Sequence, residues 1–385
     1  MKRLAISVVI ACLLLVGCGS KFECTDSTQC VSIGSEEPII IAVALTLTGP
    51  NSQYGIDALR GVEIAIADRG ELLNHPIHLV QEDDLCTAKG GQAAAERIVQ
   101  NPKILGVIGA TCSRASETAA NVLTGAGVVM ISPSSSAASL TSEESHQASF
   151  LRTIQNDKGQ AKTVAEFAYM GLGARTMATI HYSNSYSDEL QKEACAIFKG
   201  LGGECVASYI IESGMNPQGA LTHIALFKPE VLYYPLYITD GVEVTKLAAA
   251  SGLENTALIG SDRLLNTSFV SHTQSFSEGM YVSSPSLLNT ESPFFEKYKA
   301  RYGEAPIAVY AAQAYDATML LFDAIVLAAK TTGRDIYIPR QTLLASVYAT
   351  SGYQGLSGTL TCSSLGDCAT PHILIYQVRG LEFVP

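Results

Sequence analysis

The sequence predicts an α/β protein of two doubly wound parallel-sheet lobes. Short runs rich in Ile, Val and Leu recur between residues 39 and 260, the composition of strands buried on both faces of a covered parallel sheet. Stretches with helical spacing of apolar residues separate them, and strand–helix–strand alternation builds parallel sheets through right-handed crossovers. The chain has 385 residues, more than the ~250–300 that a single core accommodates, so two domains are expected.

The strands read, in order, as Ile39–Leu45, Ile77–Gln81, Leu105–Ile108, Val128–Ile131, Met177–His181, Cys205–Ile210, Val231–Tyr234 and Leu258–Gly260. Among the connecting segments, Leu59, Val62 and Ile66 share one helix face, Ala93 and Ile98 do so less cleanly, and Leu190, Ala194 and Ile197 repeat the pattern. Helical patterns also cover roughly 293–302, 308–330 and 340–349. In the tail, Gly358–Thr361 and Ile373–Val378 read as a hairpin closed by Cys362 and Cys368. No solenoid repeat is present, and the serine-rich run from Ser132 to Ser139 is short.

The N-terminus has the form of an export signal. Met1-Lys2-Arg3 is basic, and Leu4–Val16 is an apolar run shorter than the ~20 residues a bilayer span requires. It ends in Leu15-Val16-Gly17-Cys18, which resembles a bacterial lipobox; residues 1–17 would be removed and Cys18 lipidated. An ordinary signal peptide with a chance cysteine is the alternative. Residues 18–37 are polar and read as a tether. No other segment approaches a transmembrane helix, so the membrane is expected to be met through the lipid anchor alone. The formal charge of -11 becomes about -13 once Lys2 and Arg3 are removed. An acidic surface argues against nucleic acid, which needs a basic footprint.

Ten cysteines include Cys12 in the signal and Cys18 at its end. The other eight fall into close pairs: Cys24 with Cys30, Cys86 with Cys112, Cys195 with Cys205, and Cys362 with Cys368. An exported chain meets an oxidising compartment, where such pairs persist as disulfides. Free buried thiols are the bland alternative; a metal site lacks the Cys-x2-Cys spacing or clustered His it would need. A bridge between Cys86 and Cys112 would add on the order of 3 kcal/mol by loop entropy.

Ligands of open parallel sheets bind beyond the carboxyl ends of the strands. Tyr54 follows the first strand, Ser113 the third, Ser134, Ser135 and Ser136 the fourth, Tyr186 the fifth, Tyr237 the seventh and Asp262 the eighth. This set suits a zwitterion. Hydroxyls and helix N-termini receive a carboxylate, Asp262 receives an ammonium, and tyrosine rings wall the apolar part. Each residue also has a bland reading: Ser113 as a helix cap, the serines as a polar loop, the tyrosines as rim aromatics, Asp262 as a solvated acid.

Leu47-Thr48-Gly49-Pro50 with Tyr54-Gly55, Glu82-Asp83-Asp84 with Cys86, Gly109 with Cys112-Ser113, and Ile131-Ser132-Pro133 together resemble the branched-chain amino-acid-binding proteins of ABC transporters, which are type I periplasmic binding proteins. The resemblance spans about residues 37–385. It implies two lobes joined by three hinge crossovers, near Arg152–Thr153, Ser283–Ser284 and Gly352–Gly355. The first lobe would comprise 38–152 plus 285–352, the second 154–283 plus 355–385. It places Ser113, Ser134 and Ser136 around the ligand carboxylate and amine, Asp262 at the amine, and Tyr54, Tyr186, Tyr237 and Tyr310 around the side chain. Asp262 is shorter than the family's familiar Glu, the Ser-Ser-Ser turn is more hydroxylated, and Tyr310 stands where Phe is familiar. These departures leave the ligand side chain open.

The expected function is that of an extracytoplasmic, lipid-anchored, monomeric solute-binding protein. It would take a small neutral amino acid into the interlobe cleft and deliver it to an ABC permease. Amides, urea or aromatic acids as ligands, or service as a ligand-sensing subunit, are the alternatives. No Gly-x-Ser-x-Gly elbow, His-Glu-x-x-His or P-loop motif occurs, and His181 reads as structural, so neither catalysis nor a cofactor or metal is expected.

Overall fold

A computed structural model describes residues 29–332 and 335–385. The segment 1–17 expected to be a signal sequence, Cys18 as the expected lipidation site, the expected tether up to residue 28 and Cys24 lie outside the described residues. Cys30 is disulfide-bonded.

Two separate sheets form the two lobes. The first has six strands in the order Glu71–Leu72, His75–Asp83, Ile39–Leu45, Ile104–Gly109, Val129–Ser132, Phe150–Arg152, parallel except for the short hairpin at 71–83. The second has seven, in the order Glu382–Val384, Ile373–Arg379, Tyr281–Pro285, Ala257–Gly260, Val231–Tyr234, Thr176–His181, Glu204–Ile210. Its last five are parallel, and the chain's C-terminal pair is antiparallel. All eight strands expected from sequence are present, five of them longer than expected, two with the expected bounds and one shifted by a residue. Continuous apolar runs such as Ile39–Leu45 are buried along nearly their whole length because helices cover both faces.

The helices Ser52–Arg69 and Tyr310–Ala328 pack together on the first sheet. Their closeness depends on Gly61, where a Cβ would lie 2.1 Å from the Ala311 carbonyl oxygen. Tyr310–Ala328 is also long and apolar enough to cross a bilayer, contrary to the sequence reading that nothing else approached that length. It is buried in the core and carries Gln313 and Asp316 inward, so here it is a core helix of the first lobe.

The chain passes between the lobes after Arg152, after Pro285 and between Leu360 and Ile373. The third passage lies beyond the expected Gly352–Gly355. Tyr353–Gly355 and Gly358–Leu360 pair with each other, and the turn between them is fixed to the first lobe because the Asp316 carboxylate accepts from Leu356 N at 2.9 Å and Ser357 N at 2.7 Å.

Two further expectations are corrected. Gly358–Thr361 and Ile373–Val378 do not form a hairpin: Ile373–Arg379 pairs instead with Tyr281–Pro285 and Glu382–Val384, which buries its alternate residues Tyr376 and Val378. The tether does not extend to residue 37. Cys30–Ile33 is a strand paired with Asp335–Pro339, and Val31 and Ile33 are buried. The disulfides Cys86–Cys112, Cys195–Cys205 and Cys362–Cys368 are formed.

Candidate functional site

The loops at the carboxyl ends of the first sheet are stitched by two neighbouring acids. Asp83 accepts from Leu47 N (3.0 Å), Thr48 Oγ1 (2.6 Å) and Leu85 N (2.9 Å). Asp84 accepts from Thr46 Oγ1, Cys86 N (2.8 Å) and Thr111 N (2.7 Å). These bonds and the Cys86–Cys112 bridge hold the ends of three adjacent strands in one rigid rim. The following helix enters tightly: a Cβ at Gly55 would lie 2.1 Å from the Thr46 carbonyl oxygen, which is why glycine follows Tyr54. Tyr54 is thereby directed across the cleft, where its hydroxyl donates to the Arg263 carbonyl at 2.8 Å.

The serine loop is buried, but most of its hydroxyls do not face the cleft free. Ser134 Oγ donates to the Thr111 carbonyl (2.8 Å), and Ser135 Oγ lies 3.0 Å from the Ala110 carbonyl and 2.8 Å from Ser116 Oγ. Ser136 Oγ has no hydrogen-bond partner. Ser113 is the first residue of the helix Ser113–Gly125; it is not its cap, and its Oγ accepts from Ala137 N at 3.1 Å. The expectation that this row of hydroxyls stands ready for a carboxylate is therefore corrected. Ser134 and Ser135 serve the loop itself because buried backbone carbonyls demand donors, leaving Ser136, the free hydrogen of Ser113 and the helix N-terminus.

From the second lobe, Asp262 is buried at the first turn after Ala257–Gly260. It accepts from Tyr186 Oη (2.8 Å) and Gln160 Nε2 (3.2 Å) of its own lobe and from Tyr310 Oη (2.6 Å) of the other. Tyr186 and Tyr237 are stacked with ring centroids 5.8 Å apart, and Tyr54 meets Tyr310 edge-on at 5.8 Å. Burial pushes the Tyr186, Tyr237 and Tyr310 hydroxyls up, so they remain protonated donors. The structure thus gathers Tyr54, Tyr186, Tyr237, Asp262 and Tyr310 at the meeting of the lobes.

Two charged residues of this site escaped the sequence reading. Arg263 is fully buried with its guanidinium carbon 4.8–5.8 Å from the rings of Tyr310, Tyr54, Tyr186 and Tyr237. Its Nη2 donates to the Ser134 carbonyl (2.7 Å) and the Thr111 carbonyl (3.3 Å), while Nε and Nη1 have no hydrogen-bond partner. Desolvation opposes its charge, but Tyr310, Asp262, Tyr186 and Tyr237 outweigh that and hold its pKa above the ordinary range. The sequence signal was a cation directly after the acid at a strand end. Asp157 opens the helix Asp157–Glu166, is buried, and has no well-formed hydrogen bond to either oxygen. Burial pushes its carboxyl up to about 8 and Asp262 adds to this; Ser136, Arg152 and Arg263 oppose it. Its only sequence signal was its place just after the first crossover.

The Asp157 shift carries a pH prediction. The folded pKa of about 8 exceeds the unfolded value of ~3.9, so the folded state holds more protons between these limits and stability falls as pH rises through them. Asp157→Asn removes this contribution. The melting temperature of the variant is expected to rise relative to the parent progressively from pH ~4 to ~8; a difference that stays constant with pH would refute the assignment.

The cavities adjoining this centre lie on its flanks. One of about 610 Å³ opens between the lobes and is lined by Thr46, Asn51, Arg114, Tyr182, Asn184 and Tyr237 among others. His181 is half-structural in its contacts, with Nδ1 3.1 Å from the Tyr182 carbonyl and Nε2 3.1 Å from Ser208 Oγ; burial pulls its pKa down. Chemically the centre offers carboxylates, two backbone carbonyls and aromatic faces to a cation, and the unpartnered Nε and Nη1 of Arg263 with the Ser136 hydroxyl to an anion.

Comparison with known proteins agrees with the two-lobe architecture. The Leu/Ile/Val-binding protein of Escherichia coli K12 is 29% identical over 255 residues, covering 65% of this chain and 68% of that one. The leucine-binding protein of Thermotoga maritima superposes with a TM-score of 0.81 at 25% identity, covering 90% of this chain and 97% of that one. An ABC transporter solute-binding protein of Rhodopseudomonas palustris, solved with benzoate, superposes at 0.79 with 20% identity over 90% and 95% of the two chains, and shares the fold. Residues 38–378 match the family model described as periplasmic binding protein, and the chain belongs to that family.

Proposed function

We propose that the protein binds a small neutral amino acid between its lobes and delivers it, without turning it over, to an ABC permease, from a lipid anchor at Cys18. The observation that carries this reading is Asp262: a carboxylate of the second lobe, buried at the lobe boundary and held by tyrosines of both lobes. A buried carboxylate in an aromatic enclosure suits an ammonium group, because a charge leaves water at tolerable cost only when paired. The Leu/Ile/Val and leucine specificities named for two relatives support an amino acid. Hinge closure at the three crossovers would bring Asp262 onto a ligand seated on the first lobe, and the ligand would stabilise the closed form through contacts with both.

A second reading is favoured by one observation. Arg263 with its unpartnered Nη1 offers a cation to a carboxylic acid that lacks an amine. A thermal-shift screen against common amino acids, urea, short amides and aromatic acids separates the two, since a ligand that binds only the native state raises its apparent stability by mass action. Neutral amino acids are expected to raise the melt; a shift confined to amine-free acids or amides would discard the amino-acid reading.

A further inference from the structure

Arg263 occupies the place in the cleft where a ligand's cationic end belongs. Its guanidinium is enclosed by Tyr54, Tyr186, Tyr237 and Tyr310. It donates to two carbonyls of the first lobe, Thr111 and Ser134, and its Nε lies 3.7 Å from Asp262 Oδ2. The Arg263 carbonyl receives the Tyr54 hydroxyl from the first lobe, so residue 263 joins the lobes through both side chain and backbone. The side chain is completely buried, and space of ligand size adjoins the edge of this centre at the 610 Å³ cavity beside Tyr237.

The hydrogen-bond inventory shows how firmly it is held. Two of the guanidinium's five N–H bonds have acceptors, both on Nη2; those on Nε and Nη1 have none. An unpaired buried donor is unfavourable, so this placement is stabilised chiefly by the tyrosine faces and the nearby carboxylate. An incoming ammonium finds the same carbonyls, the same carboxylate and the same rings, and satisfies them with a smaller group whose other end brings its own carboxylate to Ser113 and Ser136.

We propose that Arg263 is a tethered competitor for the ligand's ammonium: it latches the two lobes from within, and a ligand binds by displacing it. This deepens the proposed function and rests on it for the nature of the ligand. It makes Arg263 a determinant of both affinity and selectivity. A molecule without a cation cannot replace the contacts that Arg263 gives up, so amine-free carboxylic acids and amides are disfavoured against amino acids. Competition by a side chain lowers apparent affinity by the fraction of molecules in which it has withdrawn.

The test uses the full-length protein in detergent and leucine as probe. Arg263→Ala and Arg263→Met, the second keeping an unbranched apolar stem without the guanidinium, are expected to bind leucine about tenfold or more tightly than the parent by calorimetry. Arg263→Lys, which keeps the charge, is expected to fall between. Without leucine, Arg263→Met is expected to exchange backbone amide hydrogens faster than the parent in the segments 111–116 and 261–265, because the latch is gone. Leucine affinity that is unchanged or weaker in the charge-free variants overturns the proposal, a loss being what an anion clamp would give. Should neither parent nor variants bind leucine, leucine as the ligand is what fails, and the exchange comparison still decides the latch: equal rates in parent and Arg263→Met overturn it.

Discussion

Asp262→Ala is expected to weaken amino-acid binding by about 2–5 kcal/mol, a loss of roughly thirtyfold to several thousandfold. The residue is a buried carboxylate at the lobe boundary that both lobes hold by hydrogen bonds, through Tyr186 and Gln160 on one side and Tyr310 on the other. Its removal has two consequences in the same direction. The ammonium loses its counter-charge in a buried site. The Tyr186 and Tyr310 hydroxyls, which donate to Asp262, lose the buried acceptor that fixes them around the ligand. Asp262→Asn keeps the shape and most of the hydrogen bonding while removing the charge, so it is expected to lose nearly as much. Titration calorimetry with the amino acid giving the largest thermal shift checks this; affinity within twofold of the parent for both variants would end the ammonium role of Asp262.

Arg152→Ala is expected to destabilise the protein by about 2–4 kcal/mol, the cost of leaving two buried carbonyls without donors and half-buried Asp367 without its cation. The side chain is fully buried at the first crossover. Its Nε donates to Asp367 Oδ1 at 2.6 Å, its Nη1 to the carbonyls of Ser135 (3.1 Å) and Ala137 (2.8 Å), and its Nη2 to Thr141 Oγ1. The backbone of the same residue accepts from Cys368 N at 3.1 Å and donates to the Gly366 carbonyl at 2.9 Å. One arginine therefore ties the serine loop of the first lobe to the Cys362–Cys368 loop through which the chain makes its third passage. Truncation leaves Asp367 without its cation and two buried carbonyls without donors. Urea unfolding followed by circular dichroism is the measurement; a midpoint corresponding to less than about 1 kcal/mol of loss would show that water replaces these bonds at little cost.

The strands were legible because their signal is local. Val231–Tyr234 needs both faces apolar wherever it lies in a covered sheet, and the sequence states that directly. The candidate site was legible to the extent that it follows from the same pattern: residues just beyond strand ends are brought to one edge of each sheet, so Tyr54, Tyr186, Tyr237 and Asp262 could be gathered before any geometry was known. Tyr310 came from the family resemblance alone, since it starts a helix and follows no strand. The strand Cys30–Ile33 was missed because four residues in a polar context carry little pattern; its partner Asp335–Pro339 lies some three hundred positions away. The tail was misread for a related reason: Ile373–Arg379 pairs with Tyr281–Pro285 across the sheet, a choice made by the buried faces of Tyr376 and Val378 and not by the nearer strand.

The sequence by itself determined the α/β alternation, two-domain size, disulfide pairs within the described residues, and the set of hydroxyl, aromatic and acidic side chains that reach the cleft. Those properties depend on composition and spacing along the chain. The tertiary structure alone decided how each polar group is used. Ser134 and Ser135 turn to carbonyls of their own lobe, Asp157 is left buried with a raised pKa, and Arg263 enters the tyrosine enclosure to meet Thr111 and Ser134 of the opposite lobe. Hydrogen bonds and charges act over a few ångströms between residues such as 134 and 263 that are 129 positions apart. Which donor meets which acceptor is therefore fixed only when the two sheets close on each other.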